Sequence, residues 1–203
     1  MIVAVVLSAG ESSRMGRPKA FLPIEGTTFI ENIVAVLKRS QVGQIIVVLG
    51  HNAEEMKPRV EHLPVTPLVN PDYKNGQLSS LQVAIRHLMA SAASANIDGV
   101  LVHLVDHPYI NPALVDRMIE SFYASQKLIV LPRYRSRRGH PVIFSASLFG
   151  ELLQAPLDEG AKAVVNAHRQ DTLELETDEA GVTIDIDTPD EYRRHVKENK
   201  CPN

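Results

Sequence analysis

Ile2-Val3-Ala4-Val5-Val6-Leu7-Ser8-Ala9-Gly10-Glu11-Ser12-Ser13-Arg14-Met15-Gly16-Arg17-Pro18-Lys19 is the stretch whose reading decides the fold. Ile2 to Leu7 is an unbroken apolar run in which four of six residues are β-branched. It is too short for a soluble helix and reads as a strand buried on both faces, the kind found in the middle of a parallel sheet. It empties into Ser8 to Ser13, where small side chains and Gly10 let the backbone approach a ligand and turn its N–H groups toward an anion. Arg14 and Lys19 follow, and Gly16 and Pro18 first allow and then limit a change of direction between them. A small-residue loop closed by two cations suits the phosphate chain of a nucleoside triphosphate. The plain alternative is a polar strand-to-helix turn with two solvated cations.

Outward from this loop the chain alternates. Thr28 and Glu31 form a capping box for a helix through about Arg39. Residues 44–49 read as a second buried strand, 53–63 as a helix interrupted by Pro58, and 65–69 as a weaker strand that Pro67 places near an edge. A turn-rich loop from Asn70 to Gly76 leads into a helix over 79–95. Residues 100–105 make a strand ending in Asp106-His107-Pro108, and Asn111 with Pro112 caps a helix to about Ala124. Residues 127–131 form a fifth strand, and 145–154 and 160–168 short helices. Residues 172–177 and 182–186 are expected to pair as an antiparallel ribbon. Thr188, Pro189 and Glu191 start a last helix to about Glu198. This alternation predicts an α/β fold, a three-layer α/β/α sandwich on a mostly parallel sheet.

Length and composition bound the answer. At 203 residues, 44% apolar and 22% charged, the chain is an ordinary globule, expected to form a single domain over 1–203. Twenty-one cations against twenty-four acids give a formal charge of −3, which points to neither nucleic acid nor a membrane surface. The single cysteine, Cys201, forms no internal disulfide. The apolar start lacks a basic leader and turns polar too soon to be a secretory signal or a membrane span, so a cytoplasmic location is expected.

Asp106 stands out as a candidate metal ligand, and Asp185 and Asp187 as acids that the helix cap after them does not explain. Asp106, at the carboxyl end of a strand, should face the crevice where α/β proteins bind ligands, and its carboxylate is a hard donor for Mg²⁺. Asp187 precedes the last helix cap, and alternation along a strand would put Asp185 on its side. Arg133, Arg135, Arg137 and Arg138 crowd the loop before Gly139-His140-Pro141, either as a solvated hairpin or as an anion site. His140 either orders a ligand there or is a satisfied turn histidine.

No G-x-x-x-x-G-K-[ST] and no G-x-G-x-x-G is present, which speaks against a P-loop ATPase and a dinucleotide fold. Instead, Leu7, Ala9, Gly10, Ser12, Ser13, Arg14, Met15, Gly16 and Lys19 match L-x-A-G-x-S-S-R-M-G-x-x-K. This loop resembles that of nucleotidyltransferases of the molybdenum-cofactor branch, which have the nucleotide-diphospho-sugar transferase (Rossmann-like) fold. Gly76, Ser80 and Leu81 are similar to the family's second signature, G-x-x-x-S-L, in its cytidine-transferring form. Asp106-His107-Pro108 resembles L-x-D-x-P, with His107 where many relatives have Gln or Met. Arg138-Gly139-His140-Pro141 resembles the segment placed over the acceptor, Asp158, Gly160 and Ala161 fit D-x-G-A, and Asp187-Thr188-Pro189 fits D-T-P.

The resemblance implies a nucleotide site of Leu7, Ala9, Gly10, Glu11, Ser12, Ser13, Arg14, Lys19, Gly76, Ser79 and Ser80. Arg14, Lys19 and Asp106 would be catalytic, Asp106 and Asp187 would hold Mg²⁺, and Arg138 to Pro141 would bind the acceptor. The implied reaction moves CMP from CTP to the phosphate of a molybdopterin-type cofactor, with a molybdenum enzyme as eventual recipient. Three rivals keep the same loop: a sugar- or alcohol-phosphate nucleotidyltransferase, a nicotinamide-dependent reductase, and a nucleotide-binding chaperone without transfer activity.

Overall fold

The computed structural model describes residues 1–197. Its strands are β1 (Ile2–Ser8), β2 (Pro23–Ile24), β3 (Thr27–Thr28), β4 (Gln44–Leu49), β5 (Thr66–Val69), β6 (Gly99–Leu104), β7 (Ile129–Tyr134), β8 (Arg137–Arg138), β9 (Val142–Ser145) and β10 (Thr172–Glu176). Its helices are α1 (Phe29–Lys38), α2 (Ala53–Val60), α3 (Gln77–Ala90), α4 (Pro112–Ser125), α5 (Phe149–Gln154), α6 (Lys162–Ala167) and α7 (Pro189–Tyr192). The main sheet runs β10-β7-β9-β6-β1-β4-β5, with β8 added to β7. β1 pairs in parallel with β4 on one side and β6 on the other. Only β9 and the short β8 run against their neighbours.

The apolar run of β1 explains the layering. Every residue of the strand is buried. Because side chains alternate across a strand, Ile2, Ala4 and Val6 face one way and Val3, Val5 and Leu7 the other. The first set packs with Ile33 and Leu37 of α1, Met56 of α2 and Met118 of α4. The second packs with Leu81 and Ile85 of α3, Leu152 of α5 and Val164 of α6. Each fully buried aliphatic side chain contributes about 1.5–3 kcal/mol, so β1 anchors both cores of an α/β/α sandwich.

A third, smaller cluster lies beside the cleft. Met15 of the first loop, Leu22, Ile24, Phe29, Ile186 and Tyr192 pack together, and the Tyr192 hydroxyl donates to the Pro23 carbonyl at 2.7 Å. Glu25 and Gly26 turn the β2–β3 hairpin with positive φ, as two-residue hairpin loops require. The Thr28 and Glu31 capping box forms at the start of α1, and Thr188 with Glu191 repeats it at α7.

Several expectations change. Pro58 does not break its helix, since α2 runs through it to Val60. α3 stops at Ala90, short of Ala95. The antiparallel ribbon is absent: Thr172–Glu176 is instead an edge strand parallel to β7. The backbone of 182–186 is engaged elsewhere, with the Ile186 N–H donating to the Asp106 carbonyl and the Val182 carbonyl accepting from His140 N–H, both at 2.9 Å. Asp185 is therefore exposed on an unpaired segment rather than aligned with Asp187 on a strand. Beyond α7 the chain continues as a π-helical turn, Arg193–Lys197, and the expected helix end at Glu198 and Cys201 lie outside the described residues. No helix among the described residues is long and apolar enough to cross a membrane.

Candidate active site

β4 and β6 leave β1 in opposite directions across the sheet, and a crevice opens at the carboxyl ends of these strands. The first loop curls over it. The Ser12 carbonyl accepts from the N–H groups of Met15 and Gly16 at 3.0 and 3.1 Å, and the Lys19 N–H donates to Ser12 Oγ at 3.2 Å. Ser12 and Gly16 take positive φ to make this turn. Across the crevice, a Cβ on Gly50 would sit 2.7 Å from the Ala9 carbonyl oxygen and 2.6 Å from Tyr73 Cβ. Glycine is what lets the β4–α2 turn close against the loop.

A cavity of about 250 Å³ results, lined by Leu7, Ala9, Gly10, Ser12, Ser13, Arg14 and Lys19 from the first loop, Gly76 and Ser80 from the second, and Asp106 and Asp187. Two expected residues do not line it. Glu11 is exposed outside, and Ser79 is buried behind the wall.

The charges meet at one end. Lys19 Nζ donates to Asp106 Oδ2 at 3.0 Å and to Asp187 Oδ1, while Arg14 Nη2 donates to Asp187 Oδ2. Asp106 follows β6 and Asp187 precedes α7; the Ile186-to-Asp106 backbone bond and the packing of Ile186 against Met15 bring them together. Burial acts to lower the Lys19 pKa, but the two carboxylates overcome it and hold the ammonium above its usual 10.5. Burial acts to raise Asp187, and Lys19 and Arg14 reverse that, keeping the acid below 3.8. Asp106 Oδ1 is buried and has no hydrogen-bond partner among the described residues.

A second cavity, about 540 Å³, adjoins the first and shares Leu7, Gly76, Gln77 and Leu104 with it. Its walls are mostly apolar, with Leu81, Val102, Val142 and Phe144 among them, and Arg138, Gly139 and His140 at one side. Pro141 follows a cis peptide bond and does not line it. The arginine cluster forms a β7–β8 hairpin in which Arg133 and Arg138 pair with Glu174 of β10. His140 is partly buried. Burial, with His107 beside it, pushes its pKa down to about 4, and its Nδ1 has no hydrogen-bond partner among the described residues. The His107 ring lies 4.9 Å from it, centroid to centroid and tilted by 58°, with Nε2 at 4.0 Å from Asp106 Oδ1.

Residues 4–172 match the MobA-like NTP transferase domain. The chain belongs to this family. Within it, the molybdenum cofactor cytidylyltransferase of Escherichia coli strain K12 is 24% identical over 192 residues, spanning 94% of this chain and 93% of that protein. Nicotine blue oxidoreductase of Paenarthrobacter nicotinovorans is 32% identical over 154 residues, or 72% of each chain. A crystal structure of Rv0371c from Mycobacterium tuberculosis H37Rv in complex with manganese superposes with a TM-score of 0.79 at 30% identity, covering 97% of this chain and 98% of that one.

This MobA-like nucleotidyltransferase also carries site features that its motifs did not point to. Asn70, only 1% exposed, donates through Nδ2 to Ser79 Oγ at 2.8 Å and Ser80 Oγ at 2.9 Å. Ser79 Oγ in turn donates to the Gly76 carbonyl at 2.7 Å. Its hydroxyl thus serves the loop, which is why it is absent from the cavity wall. His103 is buried on β6 and completes a trio with His107 and His140. The available signal was a polar Asn at a strand end and a His inside an apolar run, each of which has to find a buried partner.

Proposed function

We propose that this nucleotidyltransferase moves CMP from CTP to the phosphate of a molybdopterin-type acceptor with the help of Mg²⁺. The observation that carries the proposal is the meeting of Arg14, Lys19, Asp106 and Asp187 at one end of a cavity. Two cations and two carboxylates balance one another there, and a triphosphate arriving with its own cation can exchange partners with both sets. Lys19 and Arg14 turn from carboxylate to phosphate oxygens. They hold the β- and γ-phosphates and stabilise the pyrophosphate as it leaves. The amides of Gly10 to Arg14 carry no hydrogen bond among the described residues, which leaves them free to donate to the same charge.

The acids fit a hard divalent ion. Asp106 Oδ1 is a buried acceptor without a donor among the described residues, and the Lys19 ammonium already bridges Asp106 and Asp187. A Mg²⁺ bound with the nucleotide would neutralise charge growing on the α-phosphate. In the transfer, an oxygen of the acceptor phosphate forms a bond to the α-phosphorus, and the bond from that phosphorus to the β-phosphate oxygen breaks with its electron pair. Positioning is then the protein's main contribution. The second cavity offers the acceptor a place beside the first, with Arg138 at its edge for an anionic group and His140 at its wall.

CTP as donor is supported by Ser80-Leu81 in the cytidine form of the second signature and by the cytidylyltransferase relative. The test is pyrophosphate release with each of the four ribonucleoside triphosphates, with and without molybdopterin. Release that needs both CTP and the acceptor is expected, and none under any pairing would overturn the proposal. A second reading, hydride transfer from a nicotinamide to an apolar substrate, is favoured by the oxidoreductase relative and the apolar second cavity. It predicts loss of nicotinamide absorbance without added metal.

A further inference from the structure

We infer that Asn70, which does not line the cavity, selects the nucleobase by fixing the hydrogen-bond polarity of Ser80. The inference rests on the reading of the first cavity as a nucleoside triphosphate site. Asn70 is tied to the sheet, its N–H donating to the Leu49 carbonyl at 2.8 Å. The orientation of its side-chain amide follows from the backbone. Asn70 Oδ1 accepts from the Asp72 N–H at 3.0 Å, and a backbone N–H can only donate. The nitrogen must therefore face the serines.

That choice settles both hydroxyls. Each accepts one N–H from Asn70. Ser79 then gives its proton to the Gly76 carbonyl, so nothing of it remains for a ligand. Ser80 is 2% exposed and lines the cavity, and among the described residues no acceptor receives its proton. Its proton is left to donate into the cavity, while Asn70 takes one of its two lone pairs.

A base is recognised by the acceptors on its edge under this arrangement. Cytosine presents O2 and N3, both acceptors. Uracil carries a proton on N3, which Ser80 could accept only through its second lone pair, leaving its own buried proton without an acceptor at that edge. A buried donor left unpaired in this way lowers affinity by on the order of tenfold. Replacing Asn70 by Asp keeps its shape and its acceptor toward Asp72. It puts an acceptor where the donor was, so Ser80 gives its proton to residue 70 and shows the ligand only lone pairs.

The experiment is calorimetric titration of the full chain with CTP and with UTP, each with Mg²⁺, for the parent, Asn70→Asp and Ser80→Ala. The parent should favour CTP by about tenfold, Ser80→Ala should bring the two affinities together, and Asn70→Asp should move the ratio toward UTP. Circular dichroism verifies folding, and Ser80→Ala decides alone if the buried acid unfolds the other variant. An unchanged CTP-to-UTP ratio in the folded variants overturns the role of Asn70 while leaving the nucleotide site standing. A parent that binds neither triphosphate overturns both.

Discussion

Replacing His103 with glutamine should make the protein markedly more resistant to acid. His103 lies on β6 beside Val6 of β1, is 1% exposed, and donates from Nε2 to the His107 carbonyl at 2.9 Å. Its Nδ1 has no partner among the described residues, and His140 and His107 are the titratable groups that act on its charge. Burial, and then those two neighbours, push its pKa from 6.5 to about 3. The folded-state value is lowered, so the unfolded chain binds a proton that the folded chain refuses. Stability is complete above the unfolded value of 6.5 and is lost as pH falls toward the folded value of about 3. Between about pH 7 and about pH 4.5 the unfolded state gains roughly two units of protonation free energy, or about 2.5 kcal/mol for this one residue. Glutamine supplies an N–H donor for the His107 carbonyl and cannot take up a proton. Urea unfolding of both proteins at the two pH values measures the difference. The variant should lose about 2.5 kcal/mol less than the parent, and an equal loss in both would refute the assignment of acid sensitivity to His103.

Three further outcomes are expected. Asp106→Asn and Asp187→Asn should each leave the circular dichroism spectrum unchanged and lower single-turnover CMP transfer by at least roughly a hundredfold; a parental rate in Asp187→Asn would reduce that acid to a neighbour of the helix cap. Arg138→Ala should raise the acceptor's KM and spare CTP affinity, and unchanged acceptor kinetics would return the hairpin to a purely structural pairing with Glu174. Gly50→Ala should weaken nucleotide binding in calorimetry, because the added Cβ would meet the Ala9 carbonyl oxygen at 2.7 Å and push the first loop outward.

What the sequence determined by itself was everything written in local pattern. An apolar β-branched run fixed β1 as the central strand, capping boxes at Thr28 and Thr188 fixed two helix starts, and the small residues and two cations from Leu7 to Lys19 marked the loop that lines the cavity. Strand pairing was less legible. Residues 172–176 read as half a hairpin because a turn followed them, whereas the edge of β7 offered a parallel partner and the 182–186 backbone was drawn to Asp106 and His140. Only the tertiary structure decided which distant groups share a charge. Lys19 meets Asp187 across 168 positions of sequence, through the packing of Ile186 on Met15. The same holds for hydrogen-bond polarity: the residue types of Asn70, Ser79 and Ser80 are compatible with several networks. The single backbone N–H of Asp72 selects one of them, because a hydroxyl and an amide can donate or accept while a peptide N–H can only donate.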